Sequence, residues 1–347
     1  MSRPPARHSR SSHRKRRHAL RVPLIVVVAI TASAACVATL RVVTGARCTV
    51  SALLVPSCGA WWGMYLPTTS DAVLVPAVRS RERALGRPLG IIERYHDMSL
   101  TADGIFPGAQ ERQLAAHHLF LFSWAPNVWS AGVRYQWRQV ASGELDRSVI
   151  IPEASRLKAF HHRFFLTFAA EADGVVPAAG TPADFVAAWR HVHDVFARMG
   201  VRNAIWTWVT EGYLPHARTI AALYPGSAYV DWIAYDPYNY FTCHGASWQS
   251  FTQTVTPFYR WLTARGLASK PIMLAEYGSV ADPNDPARQA DWYRSIVPAL
   301  WGLPHIKALI QWNAAVDGCD LRLTSASAAG RAYRATGLSA YFPKEVP

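Results

Sequence analysis

Short apolar runs alternate with longer stretches of mixed polarity over most of the chain, from about residue 59 onwards. The apolar runs occupy residues 60–66, 89–95, 117–124, 162–171, 202–209, 229–236, 270–278 and 306–313. Each run is apolar almost throughout, which is typical of strands whose two faces are both covered. The alternation of such strands with helices predicts an α/β fold built on a parallel sheet.

The stretches between the runs carry helical periodicity and the residues that begin and end helices. The clearest of them opens with Thr181 and Pro182 and closes with Gly200. Its apolar positions, spaced three and four residues apart, are Phe185, Ala188, Trp189, Val192, Phe196 and Met199. Two further helices are expected over about 251–265 and 286–296.

Eight strand–helix units predict a single (β/α)8 TIM barrel, and we place this domain at residues 59–340. The units span about 290 residues, which fits a fold that usually needs roughly 250. We interpret residues 45–58 as a linker with a small lead-in to the barrel. Catalytic side chains of this fold lie at the carboxyl ends of the strands, so the candidate chemistry is sought there.

The amino-terminal part of the chain differs from the rest in its charge. Residues 1–21 hold eight lysines and arginines and no acid precedes Asp71, so this tail supplies much of the formal net charge of +13. Residues 22–40 are uncharged and about as long as the roughly 20 residues that cross a bilayer. This pattern predicts a basic cytoplasmic tail at 1–21, a membrane anchor at 22–44 and a body outside the cell membrane. A basic arm for nucleic acid is the competing interpretation, but the apolar segment argues against it.

A cleaved signal peptide is the alternative to a membrane anchor. Ala32-Ser33-Ala34 fits the small-residue cleavage site of a secretory signal. The body would then be secreted, whereas an uncleaved segment would make the lipid bilayer a partner of the protein. In both cases the body is exported.

The cysteines agree with export. Cys36 lies in the apolar segment, and four cysteines follow it at positions 48, 58, 243 and 319. An even set in an exported body favours disulfide bonds. We expect Cys48–Cys58 and Cys243–Cys319, although four cysteines allow three pairings. No spacing typical of a zinc site, a phosphate loop or a serine nucleophile is present, so neither a metal nor a cofactor is expected.

Three of the predicted strands end in carboxylic acids, namely Glu171 after the fourth, Asp236 after the sixth and Glu276 after the seventh. Aromatic faces stack on sugar rings, and tryptophans are frequent near the strand ends. The substrate-binding candidates are Trp61, Trp62, Trp124, Trp129, Trp208, Asp236 and Trp312. Two carboxyl groups at one barrel mouth can hydrolyse a glycoside, because one protonates the leaving oxygen and the other attacks the anomeric carbon.

These two roles need different pKa values. The acid must stay protonated near neutral pH while the nucleophile stays ionised. Phe168, Ala170 and Ala172 surround Glu171 in the sequence, and an apolar site would raise its pKa. We expect the hydroxyl of Tyr238 to donate to the carboxylate of Glu276 and keep it charged.

Several runs resemble glycoside hydrolase family 26 in order and approximate spacing over residues 59–335. They are GAWWGMYLP, the fourth-strand glutamate with a glycine three residues later, YPGSAYVDWIAYDPYN, KPIMLAEYGS and IKALIQWN. The family comprises retaining, endo-acting (β/α)8 enzymes, mostly β-mannanases with some β-1,3-xylanases and mixed-linkage glucanases. The resemblance implies that Glu171 is the acid/base, Glu276 the nucleophile and Tyr238 a partner of the nucleophile.

The sequence departs from this family around the acid/base. The family usually has histidine before the glutamate and asparagine two residues after it, where this chain has Ala170 and Asp173. Without the hydrogen-bonding side chain at this position, the sequence does not specify which sugar is bound. The expected substrate is therefore a mannan-like or another β-glycan. The alternatives are a catalytically weak, surface-anchored polysaccharide-binding protein and a trimming or transglycosylating enzyme of exopolysaccharide biosynthesis.

The remaining polar candidates are expected to be structural. Glu93, Asp97 and Glu211 lie near strand ends, where acids most often form salt bridges within loops. The histidine pairs are expected to support the fold, and they are His117, His118, His161, His162, His191 and His193. A monomer with a polysaccharide substrate and no nucleic-acid partner is the simplest assembly.

Overall fold

The computed structural model describes residues 48–68, 70–101, 104–316 and 318–347. The predicted tail at 1–21 and the predicted anchor at 22–44 lie outside these residues. Within the described ranges, no helix has both the length and the apolar character needed to cross a membrane.

Eight parallel strands close into a barrel, as the sequence predicts. They are β1 (Trp61–Tyr65), β2 (Ile91–His96), β3 (Leu119–Trp124), β4 (Phe164–Phe168), β5 (Ala204–Thr210), β6 (Trp232–Tyr235), β7 (Ile272–Ser279) and β8 (Ile306–Trp312). Neighbours in the chain are neighbours in the sheet, and β8 pairs with both β7 and β1. The sheet therefore has no free edge, and the (β/α)8 fold is confirmed.

Ten α-helices accompany the strands in the described part of the chain. They are α1 (Leu74–Leu85), α2 (Ala109–Leu114), α3 (Trp137–Ala141), α4 (Ile151–Lys158), α5 (Pro182–Met199), α6 (Ala217–Leu223), α7 (Phe251–Ala264), α8 (Pro286–Arg294), α9 (Ile296–Leu300) and α10 (Ala328–Gly337). Helix α5 begins at a Thr181 cap that accepts from the Asp184 amide, and Gly200 ends it with φ +77°. The helix expected over 286–296 instead breaks at Ser295, because Pro298 has no N–H to donate to the carbonyl of Arg294.

Successive side chains of each strand enter two different cores. One series, including Trp61, Phe165 and Ala275, fills the barrel interior. The alternate series, including Trp62 and Leu274, packs against the surrounding helices. This alternation follows from the two-residue period of a strand, and both faces are covered as the apolar runs predicted.

Residues 48–58 form a cap over the amino end of the barrel, which corrects their interpretation as a linker. Leu54 is only 2% exposed and belongs to the interior core. The indole N–H of Trp61 donates to the Leu54 carbonyl at 2.7 Å, and that of Trp232 donates to the Leu53 carbonyl at 2.8 Å. A disulfide between Cys48 and Cys58 closes this cap.

The second disulfide lies among the loops at the carboxyl end of the barrel. Cys243 follows β6, and its partner Cys319 belongs to a short hairpin after β8. Both predicted pairings are therefore confirmed. The bond ties together loops on either side of β7.

Candidate active site

A bulge in β7 places Glu276 in the barrel mouth. Leu274 pairs with Leu309 and Tyr277 pairs with Gln311, so Ala275 and Glu276 share the space opposite one residue of β8. Leu274 and Tyr277 both pack against the helices, although they are three residues apart. The extra residue therefore allows Ala275 to fill the interior while Glu276 faces the mouth above it, as bulges commonly re-aim a side chain.

Two tyrosines hold the Glu276 carboxylate. Tyr95, near the end of β2, donates its hydroxyl to Oε1, and Tyr238 donates to Oε2. The backbone N–H of Glu276 donates to Oδ1 of Asp236 at 2.8 Å, which fixes the main chain at the same point. The hydrogen bond expected from Tyr238 is present, whereas the equivalent donor Tyr95 was not anticipated from the sequence.

Glu171 stands at a strained turn directly after β4. Its backbone has φ +52°, and Ala169, two residues earlier, has φ +49°. Non-glycine residues rarely adopt this left-handed conformation, and it is concentrated at functional sites. The Glu171 amide donates to the Val209 carbonyl of β5 at 3.2 Å, which anchors the turn against the neighbouring strand.

Two further acids interact electrostatically with both Glu171 and Glu276 and complete a carboxyl cluster. Glu93 is 1% exposed and accepts a 3.0 Å hydrogen bond from the Ser123 hydroxyl through Oε1. Asp236 is 6% exposed. Among the described residues, Glu93 Oε2 and Asp236 Oδ2 are buried without a hydrogen-bond partner. Burial raises the pKa of both groups well above the usual range, and the nearby charge of Glu276 raises each further.

The environments of Glu171 and Glu276 separate their proton affinities. Burial raises the pKa of Glu171 well above its usual value, and the charges of Glu276 and Glu211 add to this effect. Burial also raises the pKa of Glu276, but the hydrogen bonds from Tyr238 and Tyr95 lower it. Glu171 is thus the carboxyl that retains its proton more strongly, and Glu276 is the one stabilised as an anion.

Two cavities share Tyr95 in their walls. One of about 140 Å³ lies beside Glu171 and has Ala170, Arg134 and Tyr95 in its wall. The other, of about 250 Å³, is lined by Tyr95 and Trp129 among others. Because Ala170 has only a methyl side chain, the first cavity reaches close to the acid.

Two of the six predicted tryptophans reach the mouth. The ring of Trp312 stacks on Tyr65 with centroids 4.1 Å apart and an angle of 11° between the planes. Tyr95 meets both rings edge-on. Trp129 is 47% exposed and lines the larger cavity. These aromatic groups form the accessible apolar surface next to the carboxyl cluster.

The other four tryptophans are core residues, which corrects their assignment as substrate-binding. Trp61 lies in the barrel interior above the amino-terminal cap. Trp62 stacks on Tyr333 of α10, Trp124 packs against Phe196 of α5, and Trp208 packs against Tyr224. None is more than 1% exposed, because three of them point outward to the helices and Trp61 lies at the amino end of β1.

Glu93, expected to form a salt bridge in a loop, instead belongs to the carboxyl cluster, whereas the other polar candidates have structural contacts. Asp97 accepts hydrogen bonds from the amides of Ser99 and Trp129 and so shapes the loop after β2. Glu211 forms an ion pair with His216 at 3.3 Å. His191 and His118 pair with the carboxylates of Asp146 and Glu82, respectively, in the outer layer of the barrel.

The comparisons with known proteins agree with this geometry. Residues 177–309 match the model of glycosyl hydrolase family 26. This segment contains Tyr238 and Glu276 and begins six residues after Glu171. Endoglucanase H of Acetivibrio thermocellus is 26% identical over 265 residues, which are 70% of this chain. The chain spans only 27% of the length of that relative.

Solved structures share the fold of this chain. A modular endo-β-1,4-mannanase from Cellulomonas fimi superimposes with a TM-score of 0.58 and 14% identity, over 82% of this chain and 72% of that one. A β-mannanase of the same family from Bacteroides ovatus gives a TM-score of 0.59 and 14% identity, over 83% and 91% of the two chains. The family match over residues 177–309, the barrel and the two glutamates at its carboxyl end all make this chain similar to glycosyl hydrolase family 26.

Proposed function

We propose that the protein is a retaining endo-β-glycosidase that cleaves an extracellular polysaccharide by double displacement. The observation that carries this proposal is the Glu276 carboxylate, which two tyrosine hydroxyls hold beside the more basic carboxylate of Glu171. An ionised, oriented carboxylate and a neighbouring protonated carboxyl are the two groups that the reaction requires.

In the first step, a Glu276 oxygen attacks the anomeric carbon while the bond from that carbon to the leaving oxygen breaks. Glu171 gives its proton to the leaving oxygen, and a covalent glycosyl ester of Glu276 results. In the second step, Glu171, now ionised, takes a proton from water as the water oxygen attacks the same carbon. The Glu276 carboxylate leaves, and two inversions give net retention.

The surrounding residues support each role. The hydroxyls of Tyr95 and Tyr238 occupy both oxygens of Glu276, so one of these bonds must weaken as the ester forms. Burial favours the protonated form of Glu171 before attack. The negative charge of Glu276 raises the pKa of Glu171. Formation of the ester removes this charge, so Glu171 then loses its proton more readily.

The lining of the mouth supports the proposed substrate class. The Tyr65–Trp312 stack and the exposed Trp129 provide flat apolar surfaces that suit the faces of sugar rings. Related proteins carry the names endoglucanase and endo-β-1,4-mannanase, which supports a β-linked glycan. Ala170 lacks a polar group next to the acid, so we propose a mannan-like or another β-glycan without choosing between sugars.

We further propose that the catalytic body acts outside the cell. The two disulfides support an oxidising compartment, and the uncharged segment at 22–40 supports either a membrane anchor or a cleaved signal. An anchored, monomeric enzyme would act near its own cell surface. Such a location also suits trimming or transglycosylation of the cell's own exopolysaccharide.

One observation favours a second function. Ala170 leaves the cavity of about 140 Å³ beside Glu171 without the polar side chain that the family usually places there. A protein that retained the cleft but turned over slowly would serve as a surface-anchored polysaccharide-binding protein. The two functions differ in turnover and not in binding.

The deciding experiment incubates the protein with a panel of β-mannans, β-glucans and β-xylans and follows the first anomer released by NMR. Release of the β-anomer from at least one polymer supports the proposal. Release of the α-anomer would contradict retention, and binding without any release would support the second function. A mechanism-based 2-deoxy-2-fluoroglycoside should label Glu276, which peptide mass spectrometry can locate.

A further inference from the structure

Three metal-ligating side chains converge beside the turn that carries Glu171, and they take no part in the proposed hydrolysis. They are Asp173, Glu211 and His216, and each offers one ligand atom within 4.8 Å of the others. Asp173 follows β4, whereas Glu211 and His216 belong to the loop after β5. No other trio in the described residues has free ligand atoms at this spacing, because Cys243 and Cys319 of the second trio are joined in a disulfide.

Asp173 is only 5% exposed, yet half of its carboxylate is unused. Its Oδ1 accepts from the Thr210 hydroxyl at 2.8 Å and from the Glu211 amide at 3.2 Å. Its Oδ2 is buried and has no hydrogen-bond partner among the described residues. A buried carboxylate oxygen without a partner is costly, and its orientation is fixed by the two bonds to Oδ1. A cation would satisfy this oxygen.

The contact between Glu211 and His216 has the spacing of two ligands on one ion. His216 Nδ1 lies 3.3 Å from Glu211 Oε2, but within the described part of the chain this nitrogen makes no aligned hydrogen bond. Bonds of about 2.0–2.1 Å to a shared tetrahedral ion place ligand atoms roughly 3.3–3.4 Å apart. Glu211 and His216 therefore already have the spacing of two zinc ligands. The ligand oxygen of Asp173 lies within 4.8 Å of both, so it would have to move by about 1.5 Å or less to reach the same spacing.

The two loops meet closely beside Gly174. A Cβ added to Gly174 would lie 2.1 Å from Glu211 Oε1, so any larger residue would push this carboxylate out of place. Glu211 and His216 are half-buried, which leaves an open side for solvent. An ion bound here would have three protein ligands and would keep a fourth position for water.

We propose that Asp173, Glu211 and His216 form a binding site for a divalent transition metal, with Zn²⁺ as the best match. One imidazole and two carboxylates suit Zn²⁺ better than the harder Ca²⁺ or Mg²⁺, which bind through oxygen. The ion would link the loop of the acid to the loop after β5. We assign it a structural role, because the proposed hydrolysis uses none of its ligands as acid, base or nucleophile.

The test measures Zn²⁺ binding to the full-length chain by isothermal titration calorimetry, with ZnCl₂ alone as the probe. Wild type is compared with Glu211→Gln and His216→Gln, whose side chains are accessible enough for the fold to tolerate the change. His191→Gln is the matched control, because His191 pairs with the Asp146 carboxylate at 2.8 Å and no third metal ligand joins them among the described residues. Circular dichroism confirms that each variant is folded.

We expect one site of micromolar affinity in wild type and in the control, and a loss of at least about 30-fold in both ligand variants. Zinc at about 100 times its dissociation constant should raise the melting temperature of wild type by roughly 3–8 °C. Binding weaker than about 100 μM overturns the proposal, as does binding that survives both ligand variants, which would mean an adventitious ion only. A preference for Ca²⁺ over Zn²⁺ would overturn the choice of metal class.

Discussion

The two ends of the barrel are built from the same strands and have opposite chemistry. At the amino end, Leu54 enters an apolar interior, and carbonyls of the cap satisfy the indole N–H groups of Trp61 and Trp232. At the carboxyl end, three buried acids lie with the half-buried Glu171, and two of the buried oxygens have no hydrogen-bond partner among the described residues. The first arrangement favours the folded state, whereas the second costs stability and holds reactive groups ready. Stability and chemistry are thus separated along the barrel axis.

The largest expected effects come from the carboxyl end. Glu276→Ala should lower kcat on every substrate by about 10⁴-fold or more, because the attacking oxygen is lost. Its melting temperature should not fall, since the change removes a carboxylate from a crowded acidic cluster. Turnover of a natural polysaccharide and differential scanning calorimetry measure the two effects.

Glu171→Ala should be less harmful on substrates with good leaving groups, which need no proton. Added azide should restore turnover of such substrates and give a β-glycosyl azide. Unchanged turnover of a natural polysaccharide would mean that Glu171 is not the acid, and Glu211 would then be the next carboxyl to examine.

The opposite result is expected at the amino end. Leu54→Ala should lower the free energy of unfolding by about 2–5 kcal/mol, because it removes buried apolar volume and leaves a cavity. The kcat of the remaining folded protein should stay within about two-fold of wild type. Urea denaturation and activity assays test this pair, and a loss of kcat without a loss of stability would show that the two ends are coupled.

A smaller effect is expected at the tyrosines that hold the nucleophile. The hydrogen bond from Tyr238 lowers the pKa of Glu276, so Tyr238→Phe should raise it and move the acidic limb of the kcat/KM profile to higher pH. A charge-assisted bond of about 1.5–3 kcal/mol corresponds to roughly one to two pH units. Tyr341→Phe is the control. Tyr341 lies beside Gly59 at the amino end of the barrel, so this change should leave the pH profile unchanged.

The smallest expected effect is a pH dependence of stability without substrate. Burial raises the pKa values of Glu93, Glu171 and Asp236 in the folded protein, so the folded state binds more protons than the unfolded state above about pH 4. Their contribution is therefore fully present below the ordinary carboxyl pKa and is lost as pH rises through the folded values. Glu93→Gln should flatten this decline in melting temperature between about pH 4 and 8. A decline as steep as that of wild type would exclude Glu93 as a contributor.

The sequence predicted the barrel, the two disulfides and the strand ends that carry Glu171 and Glu276. It could not predict which tryptophans face the mouth. Trp61 and Trp62 are adjacent and point to opposite sides of one strand, and runs that are apolar on both faces carry no alternation that reveals this direction. The face of the strand on which each tryptophan lies therefore had to come from the structure.

The same limit explains why the contacts of the nucleophile were only partly foreseen. Tyr238 lies in a motif that resembles the family, but Tyr95 is separated from Glu276 by 181 positions and meets it only in the closed barrel. The bulge at Ala275 and Glu276 depends on the pairing of β7 with β8. The capping role of residues 48–58 likewise depends on indole donors that lie far along the chain.

The disulfide bond joins Cys243 to Cys319, which lie 76 positions apart, and so closes a large covalent ring. This ring contains the whole of β7 and β8, and hence Glu276 and Trp312, but it leaves Glu171 outside. Closing so long a loop restricts the unfolded chain considerably. Under reducing conditions the strand that carries Glu276 would lose this covalent restraint. The turn that carries Glu171 would lose none, because it lies outside the ring. Oxidation would therefore restrain the part of the chain that carries the nucleophile without acting directly on the turn that carries the acid.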